Sequence, residues 1–462
     1  MRRRSAYPEV NALIHPSARD GQPPAGRLLK VLGVAFGLAV LVGNTIGMGI
    51  LRTPGEVAAR LPSVPLFMAV WVAGAVYALL GALTVAELAA MRPRSGGLYP
   101  LVHDALGEYP GFVVGWTDWL ATCGSMAAVA MVLGEYAGPL MPGMSGHGLV
   151  TASTVVVGFA LLQWRGIRIG DAAQRLTSLL KSLALMALAG VALVMTIDST
   201  PSAPVTELAA PTGFALAGAV IIALQSAIYT YDGWTGPIYF GEELRDPARD
   251  IPRAMIGGVL LVLVIYLLLN AAFLRAVPIQ EMAGDPFVAA TAAARLFGPT
   301  GDTVIRIVML ISLIAAVNAL QLMAARVPFA MSRDRLLPAF LHRVNPGGTP
   351  VPALVASTLV ALACIATNTF NTVLAMLAFL FVANYGLTFM ALFASRQRAP
   401  EAQRPFRVPG YPFVPGVALA GSLAFMVAAV VSDRTNSVRS LALLGISWPV
   451  YRLIRPRTSA RP

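Results

Sequence analysis

Charge is scarce in this sequence. Asp, Glu, Lys and Arg make up 12% of its 462 residues, about half of the ~25% usual in a soluble domain. With 57% hydrophobic residues and a mean hydropathy of +0.71, the chain reads as a polytopic helical membrane protein. The ten-residue segments of alternating polarity that mark a membrane β-barrel are missing. Cysteine is almost absent: Cys123 and Cys364 both fall in apolar segments and give neither a disulfide framework nor a metal-ligand spacing. The loops hold no His/Cys/Asp/Glu cluster, nucleophile arrangement or phosphate loop, so an enzyme is not expected, nor a metal or cofactor. The basic start (Arg2, Arg3, Arg4) leads into no short apolar core with a cleavage site. Residues 1–27 therefore read as a cytoplasmic tail and not a signal peptide.

What is present in quantity is long apolar runs. Segments of about 20 residues, enough to span a bilayer, can be placed twelve times: near 28–61, 64–91, 110–138, 148–164, 172–197, 213–242, 252–277, 301–330, 351–368, 371–395, 412–432 and 437–454. Twelve spans put both termini on one side. Of the 34 Lys and Arg residues, 26 then fall on the side of the termini, 7 on the other, and Lys181 lies within a span. This bias makes the terminal side the cytoplasm; the membrane expected is the cell (inner) membrane. It also explains the net charge of +12. The basic residues are spread over seven segments as a topology signal, so nucleic acid is not an expected partner. Leu98 to Gly107 is expected along the cytoplasmic interface, and Gln280 to Leu296 includes a candidate short surface helix.

Two spans are interrupted. The first contains Gly43-Asn44-Thr45-Ile46-Gly47-Met48-Gly49. Each glycine costs a helix about 1 kcal/mol relative to alanine. Backbone freed within hydrocarbon survives only where it is buried in protein or lines a polar cavity. Close helix packing through small residues is the competing explanation. The sixth span contains Tyr229-Thr230-Tyr231-Asp232-Gly233-Trp234-Thr235-Gly236-Pro237. Spans one and six hold the same place in two groups of five, and matched breaks point to a transporter of inverted repeats with its site at the breaks. The repeats cover about 28–197 and 213–395. Residues 396–454 add helices 11 and 12 with their preceding loop, and 455–462 form a second cytoplasmic tail. Free N–H groups at Gly47, Met48 and Gly49 suit an anion. Free carbonyls near Thr45, Tyr229 and Thr230 suit a cation. One α-amino acid fits this pair of ends.

These residues resemble the amino acid–polyamine–organocation superfamily. Gly43 to Ile50 looks like the GxxxGxG signature of its first helix. Glu87-Leu88 with Pro93-Arg94-Ser95-Gly96-Gly97-Leu98-Tyr99 resembles its motif after helix two. Gly115-Trp116, Glu242-Glu243, Asp246-Pro247, Ile251-Pro252-Arg253 and Val317-Asn318 follow in the expected order. The chain is most similar to the L-type amino acid transporter branch. The resemblance implies a LeuT-like all-α fold of about twelve helices with broken helices 1 and 6, and alternating access. It implies that N–H groups of Gly47, Met48 and Gly49 hold the substrate carboxylate. Carbonyls at Thr45, Tyr229 and Thr230, together with Asp232, then hold its ammonium, with Tyr229 as the outer gate; Ile46 is a further substrate-binding residue. Eukaryotic members of the branch pair with a glycoprotein through a cysteine after helix three. This loop has none, so no covalent heavy-chain partner is expected.

Lys181 is the one charge in its span after Arg175, and it matches a lysine near the sodium site of sodium-driven relatives, which implies sodium independence. It either braces the first helix or carries a proton; snorkelling from the inner interface is the alternative. Asp232 contacts an ammonium or caps a helix starting at Gly233. Asn318 bonds substrate or another helix. Arg52 lines the vestibule or pairs with Glu56. Trp234, Thr235 and Met48 shape the side-chain pocket, whereas Trp116, Asp118, Trp119, Glu87 and Glu135 serve interfaces and packing. The reading is a secondary active amino acid transporter, an exchanger or proton-coupled. A polyamine or organocation transporter and a non-transporting sensor are the alternatives.

Overall fold

The computed structural model describes residues 27–47, 49–140, 146–195, 211–367, 370–432 and 434–454, without the side chains of 370–378 and 432. The tails assigned to 1–27 and 455–462 lie, apart from Arg27, outside the described residues. In order the helices are α1 (Val34–Thr45), α2 (Gly49–Arg60), α3 (Val64–Met91), α4 (Tyr99–Leu106), α5 (Glu108–Ala137), α6 (Gly148–Trp164), α7 (Ile167–Val194), α8 (Gly213–Thr230), α9 (Pro247–Ala276), α10 (Ile279–Met282), α11 (Val288–Phe297), α12 (Gly301–Ala324), α13 (Arg326–Arg333), α14 (Val351–Ala366), α15 (Phe370–Arg398), α16 (Phe413–Ser432) and α17 (Arg434–Ile454). Among the described residues no strand forms; two isolated bridges join Leu32 to Leu244 and Ser95 to Phe240.

Eight helical stretches among the described residues are long and apolar enough to cross a bilayer, and α1 with α2 makes a ninth, bent by 49°. The apolar helices α6 and α14 are shorter. Helix α17 carries Arg434, Arg439 and Arg452. Helix lies within each of the twelve spans read from sequence, nine of which are crossings by length and composition among the described residues, and the sixth differs inside. It was expected over 213–242, but α8 stops at Thr230, and the chain below it holds only a short 3-10 helix, Gly236–Tyr239. Gly233 turns the backbone to φ +118°, and Pro237 has no N–H to continue a helix. The freed segment is tied elsewhere: Gly96 N–H donates to Tyr239 O (3.2 Å) and Leu32 N–H to Glu243 O (2.9 Å). The segment 280–296 is no surface helix either, since α11 buries Val288, Ala289, Ala292, Ala293 and Leu296.

Helix α1 is the axle of the bundle, packed on α7, α9 and α12. Its carbonyls are claimed by α7: Ser178 Oγ donates to Ala39 O at 2.7 Å and Gln174 Nε2 to the same atom at 3.2 Å. A Cβ at Gly43 would stand 2.1 Å from Gln174 Nε2, so this glycine serves close packing. The motif residues Pro93 to Tyr99 and Glu242-Glu243 meet at one end of the bundle, where the Ser95 N–H donates to Glu242 at 3.2 Å. There Arg94 pairs with Asp334 (2.6 Å), Tyr99 donates to Asp334 (2.7 Å), and Arg333 pairs with Glu242 (2.6 Å). Beside them the buried pair Arg326–Glu243 (3.1 Å) lies against Phe240. Glu87, wholly buried, accepts from Arg396 and the Val408 N–H and forms an ion pair with Arg404, which ties the loop before α16 to α3. A buried charge needs such multiple partners.

Candidate functional site

The two breaks cross. Asn44 Nδ2, in the last turn of α1, donates to Gly233 O at 3.4 Å. A Cβ on Gly233 would meet Thr45 Oγ1 at 2.7 Å, Thr45 N at 2.8 Å and Asn44 Nδ2 at 2.9 Å, so only glycine permits this approach. Around the crossing lies a cavity of about 580 Å³, the size of a small-molecule site. It runs from the breaks along α2 and α8 to the start of α17, where Asn436 and Ser437 line it.

The C-terminal carbonyls of α1 have no helical partners of their own. Lys181 Nζ donates to Gly43 O at 2.9 Å and also to Ile46 O, which accepts from Ser312 Oγ at 3.2 Å as well. The Lys181 side chain is fully buried, so it braces the broken helix and does not snorkel. Tyr266 of α9 joins the two breaks: its hydroxyl lies 3.1 Å from Thr45 O and 2.9 Å from Thr230 O. Both carbonyls that the sequence assigned to an ammonium therefore already face one hydroxyl. Each keeps a second lone pair. Tyr266→Phe should weaken the apparent affinity of this cavity for its ligand about tenfold, equivalent to the ~1–1.5 kcal/mol of one net hydrogen bond, as read from the substrate dependence of initial rates in liposomes. An unchanged affinity would remove Tyr266 from the site.

Of the residues singled out from sequence, Thr45, Gly47, Gly49, Tyr229, Thr230, Asp232 and Thr235 line this cavity. Helix α2 begins at Gly49, so its first-turn N–H groups point there without intrahelical partners. Thr45 Oγ1 is buried at the cavity edge and has no hydrogen-bond partner among the described residues. Thr230 Oγ1 donates to Thr53 Oγ1 (3.0 Å) or to Ser226 O (2.8 Å). Asp232 caps no helix, since none starts at Gly233; its Oδ1 accepts from the Tyr385 hydroxyl. Trp234 packs on Tyr385 with ring centroids 4.8 Å apart and borders a small adjoining space. Met48 lies outside the described residues.

Two singled-out residues stand away from the cavity. The Ile46 side chain is fully buried and only its carbonyl is engaged. Asn318 makes the interhelical bond: its Nδ2 donates to Gln174 Oε1 (2.7 Å) and its Oδ1 accepts from Gln163 Nε2 (2.9 Å). Arg52 lines the cavity with its guanidinium 6.0 Å from the Phe287 ring, and Glu56 accepts from Ser226 Oγ (3.2 Å). Among the described residues no Arg52–Glu56 ion pair forms. Tyr266, Tyr385, Tyr239 and Thr122 are contributors that sequence reasoning missed, as was the side chain of Asn44, read only for its carbonyl; the signal was a polar side chain in the middle of an apolar run. Among the described residues no group of three His, Cys, Asp or Glu side chains could hold a metal ion.

Comparison with known proteins adds the following. The family model for amino acid permeases matches residues 28–448. The chain is 30% identical over 442 residues to the serine/threonine exchanger SteT of Bacillus subtilis (strain 168), covering 94% of this chain and 98% of that protein. It is 27% identical over 430 residues to the human b(0,+)-type amino acid transporter 1, covering 91% and 86%. With the human large neutral amino acids transporter small subunit 2 the identity is 29% over 414 residues, covering 85% and 76%.

Proposed function

This chain belongs to the amino acid permease family, and from that membership we propose that it exchanges amino acids across the cell (inner) membrane by alternating access. The observation that carries the reading is the crossing of two broken spans beside a cavity of about 580 Å³. Its wall offers free N–H groups at the start of α2, an unpartnered Thr45 hydroxyl and the Asp232 carboxylate. A carboxylate docks at Gly47 and Gly49. The ammonium turns to the ends of α1 and α8, where Thr45, Tyr229, Thr230 and Asp232 lie. The side chain extends past Thr235 toward Tyr385. Twelve spans with cytoplasmic termini, two inverted repeats over 28–197 and 213–395, and two added helices over 396–454 complete the proposal. Its basis is the charge bias of the loops and the matched breaks. In this orientation the cavity faces outward and the ion-paired end faces the cytoplasm. Sodium independence is part of it, because the Lys181 ammonium already occupies the carbonyls of Gly43 and Ile46.

One relative is named a small subunit, and no comparison supports the expectation that this chain lacks a heavy chain. That expectation rests only on the sequence from Pro139 to Gly148, which has no cysteine. Asp232 in the cavity wall favours an organocation as the second reading.

The test is counterflow by the purified chain in liposomes loaded with L-threonine, offered labelled L-serine, L-threonine, L-leucine, L-arginine or putrescine, with and without sodium. Saturable counterflow of at least one L-amino acid without sodium is expected, and none of putrescine. A monodisperse preparation that moves no amino acid would overturn the reading; movement of putrescine alone would establish the second.

A further inference from the structure

Asp118 has no part in the site described above, yet its setting is hard to explain as packing. It lies in the middle of α5 with only 1% of its surface exposed. Both of its carboxylate oxygens stand 2.8 Å from the Tyr239 hydroxyl. Among the described residues it forms no ion pair with Lys, Arg or His. An ionised carboxylate buried without a cation is costly unless a proton or another cation compensates it.

Position says which of these can reach it. Asp118 does not border the cavity; Tyr239 and Thr122 do. Thr122 Oγ1 donates to the Asp118 backbone carbonyl at 2.7 Å, so the two residues form one wall. A ligand in the cavity meets the Tyr239 hydroxyl and not the carboxylate behind it. A proton passes such a barrier, because a hydroxyl both donates and accepts. The titratable groups facing Asp118 are Tyr239 and Asp232 from the unwound sixth span, Tyr385 from α15, and Cys123 from its own helix. From the remaining helices packed on α5, which are α4, α6, α12, α13, α14 and α17, no charged group acts on it among the described residues.

Tyr239 is also a moving part in waiting. It sits in the 3-10 helix below the second break, and its carbonyl accepts from Gly96 N–H at the ion-paired end. The Asp118–Tyr239 bond thus pins the unwound half of the sixth span to α5 while that end is shut. A hydrogen bond to an ionised carboxylate is roughly twice as strong as one between neutral groups.

We propose that Asp118 is the proton-binding site that couples exchange to protons, with Tyr239 as the hydroxyl that gives access to it from the cavity. The inference rests on the exchanger reading above. A proton from cavity water adds to one carboxylate oxygen and forms an O–H bond. The bond to Tyr239 becomes a neutral one and weakens, and the ion-paired end can open. The proton leaves to water on the cytoplasmic side, which restores the carboxylate and the stronger bond. No oxidant, metal or second substrate is needed.

The test uses the full chain in liposomes that contain the pH dye pyranine and the best-accepted amino acid of the counterflow panel, with the outside acidic. Wild type should acidify the lumen when that amino acid is added outside. Asp118→Asn should lose at least about nine-tenths of this proton influx and exchange with a flat pH profile, as expected when the one linked group no longer titrates. Tyr239→Phe removes a donor that favours the ionised form, so its exchange profile should move about one pH unit toward alkaline. Three results would each overturn the proposal: wild-type proton influx in Asp118→Asn, exchange by the wild type with no linked proton movement, or dependence on sodium in place of protons. If Asp118→Asn fails to fold, an unchanged profile in Tyr239→Phe overturns it. Absence of any counterflow by the wild type defeats the exchanger reading itself, a separate outcome.

Discussion

Gly233→Ala abolishes exchange: counterflow should fall at least about a hundredfold, the equivalent of ~3 kcal/mol in the occluding step. The position has φ +118°, a conformation that costs a residue with a Cβ on the order of 1–3 kcal/mol. The methyl would also stand 2.8 Å from the Thr45 backbone nitrogen. Backbone at the end of α1 cannot step aside without pulling Gly43 and Ile46 from Lys181. Gly158→Ala is the matched control, because nothing lies within 4 Å of a Cβ there and alanine favours a helix. It should exchange as the wild type does. The measurement is initial counterflow at matched protein content, with size-exclusion profiles as the check on folding. Equal rates in Gly233→Ala and Gly158→Ala would mean that the crossing of the breaks has no part in transport.

The second large effect belongs to Lys181. Methionine there keeps the length and apolar stem but leaves Gly43 O without its donor, while Ile46 O keeps Ser312. Hydrogen bonds to charged groups contribute about 1.5–3 kcal/mol each, and an unsatisfied buried carbonyl adds a desolvation cost. Lys181→Met should therefore lose on the order of 3 kcal/mol of stability, seen as a lower melting temperature in detergent. Exchange should fall at least about tenfold, because the break itself loosens. Lys181→Arg should not rescue it, since the planar guanidinium does not fit a pocket shaped for a compact ammonium. Melting and exchange both equal to the wild type would show that the break holds without this brace.

Much of the fold was legible because membrane helices announce themselves by length and by what ends them. The run 64–91 opens with Pro65 and closes before Arg92, and α3 has the same bounds. Both breaks were legible for the same reason, since Gly, Pro and Asp are conspicuous in apolar runs. The end of α8 was not. Tyr231, Trp234, Ile238, Tyr239 and Phe240 are apolar enough to extend the span, and all are buried. Hydrophobicity records that they are inside but not whether the backbone is helical there. Helix α7 begins five residues before the span read from sequence, because Asp171 and Arg175 pair one turn apart at 2.7 Å and can sit at its exposed start. Side-chain partners were the least legible part. Asn318 carries the same amide whether it faces a ligand or Gln174. Asp118 looked like an interface residue until Tyr239, 121 positions away, was placed on it. The opening choice between packing and site for Gly43 to Gly49 dissolves in the same way: Gly43 lies against Gln174, while Gly47 and Gly49 border the cavity.

The Tyr266 hydroxyl owns one hydrogen and has two claimants, a carbonyl from each break. It is an either-or contact. When an incoming ammonium takes over one carbonyl, the hydroxyl turns to the other, so the two carbonyls go from sharing one donor to having one each. Occupied and empty sites thus exchange partners by rotation about a single C–O bond. A carrier that must cycle between the two with little difference in energy can use that economy: in the empty site the two carbonyls share one donor, and neither is committed so firmly that a substrate must tear it away.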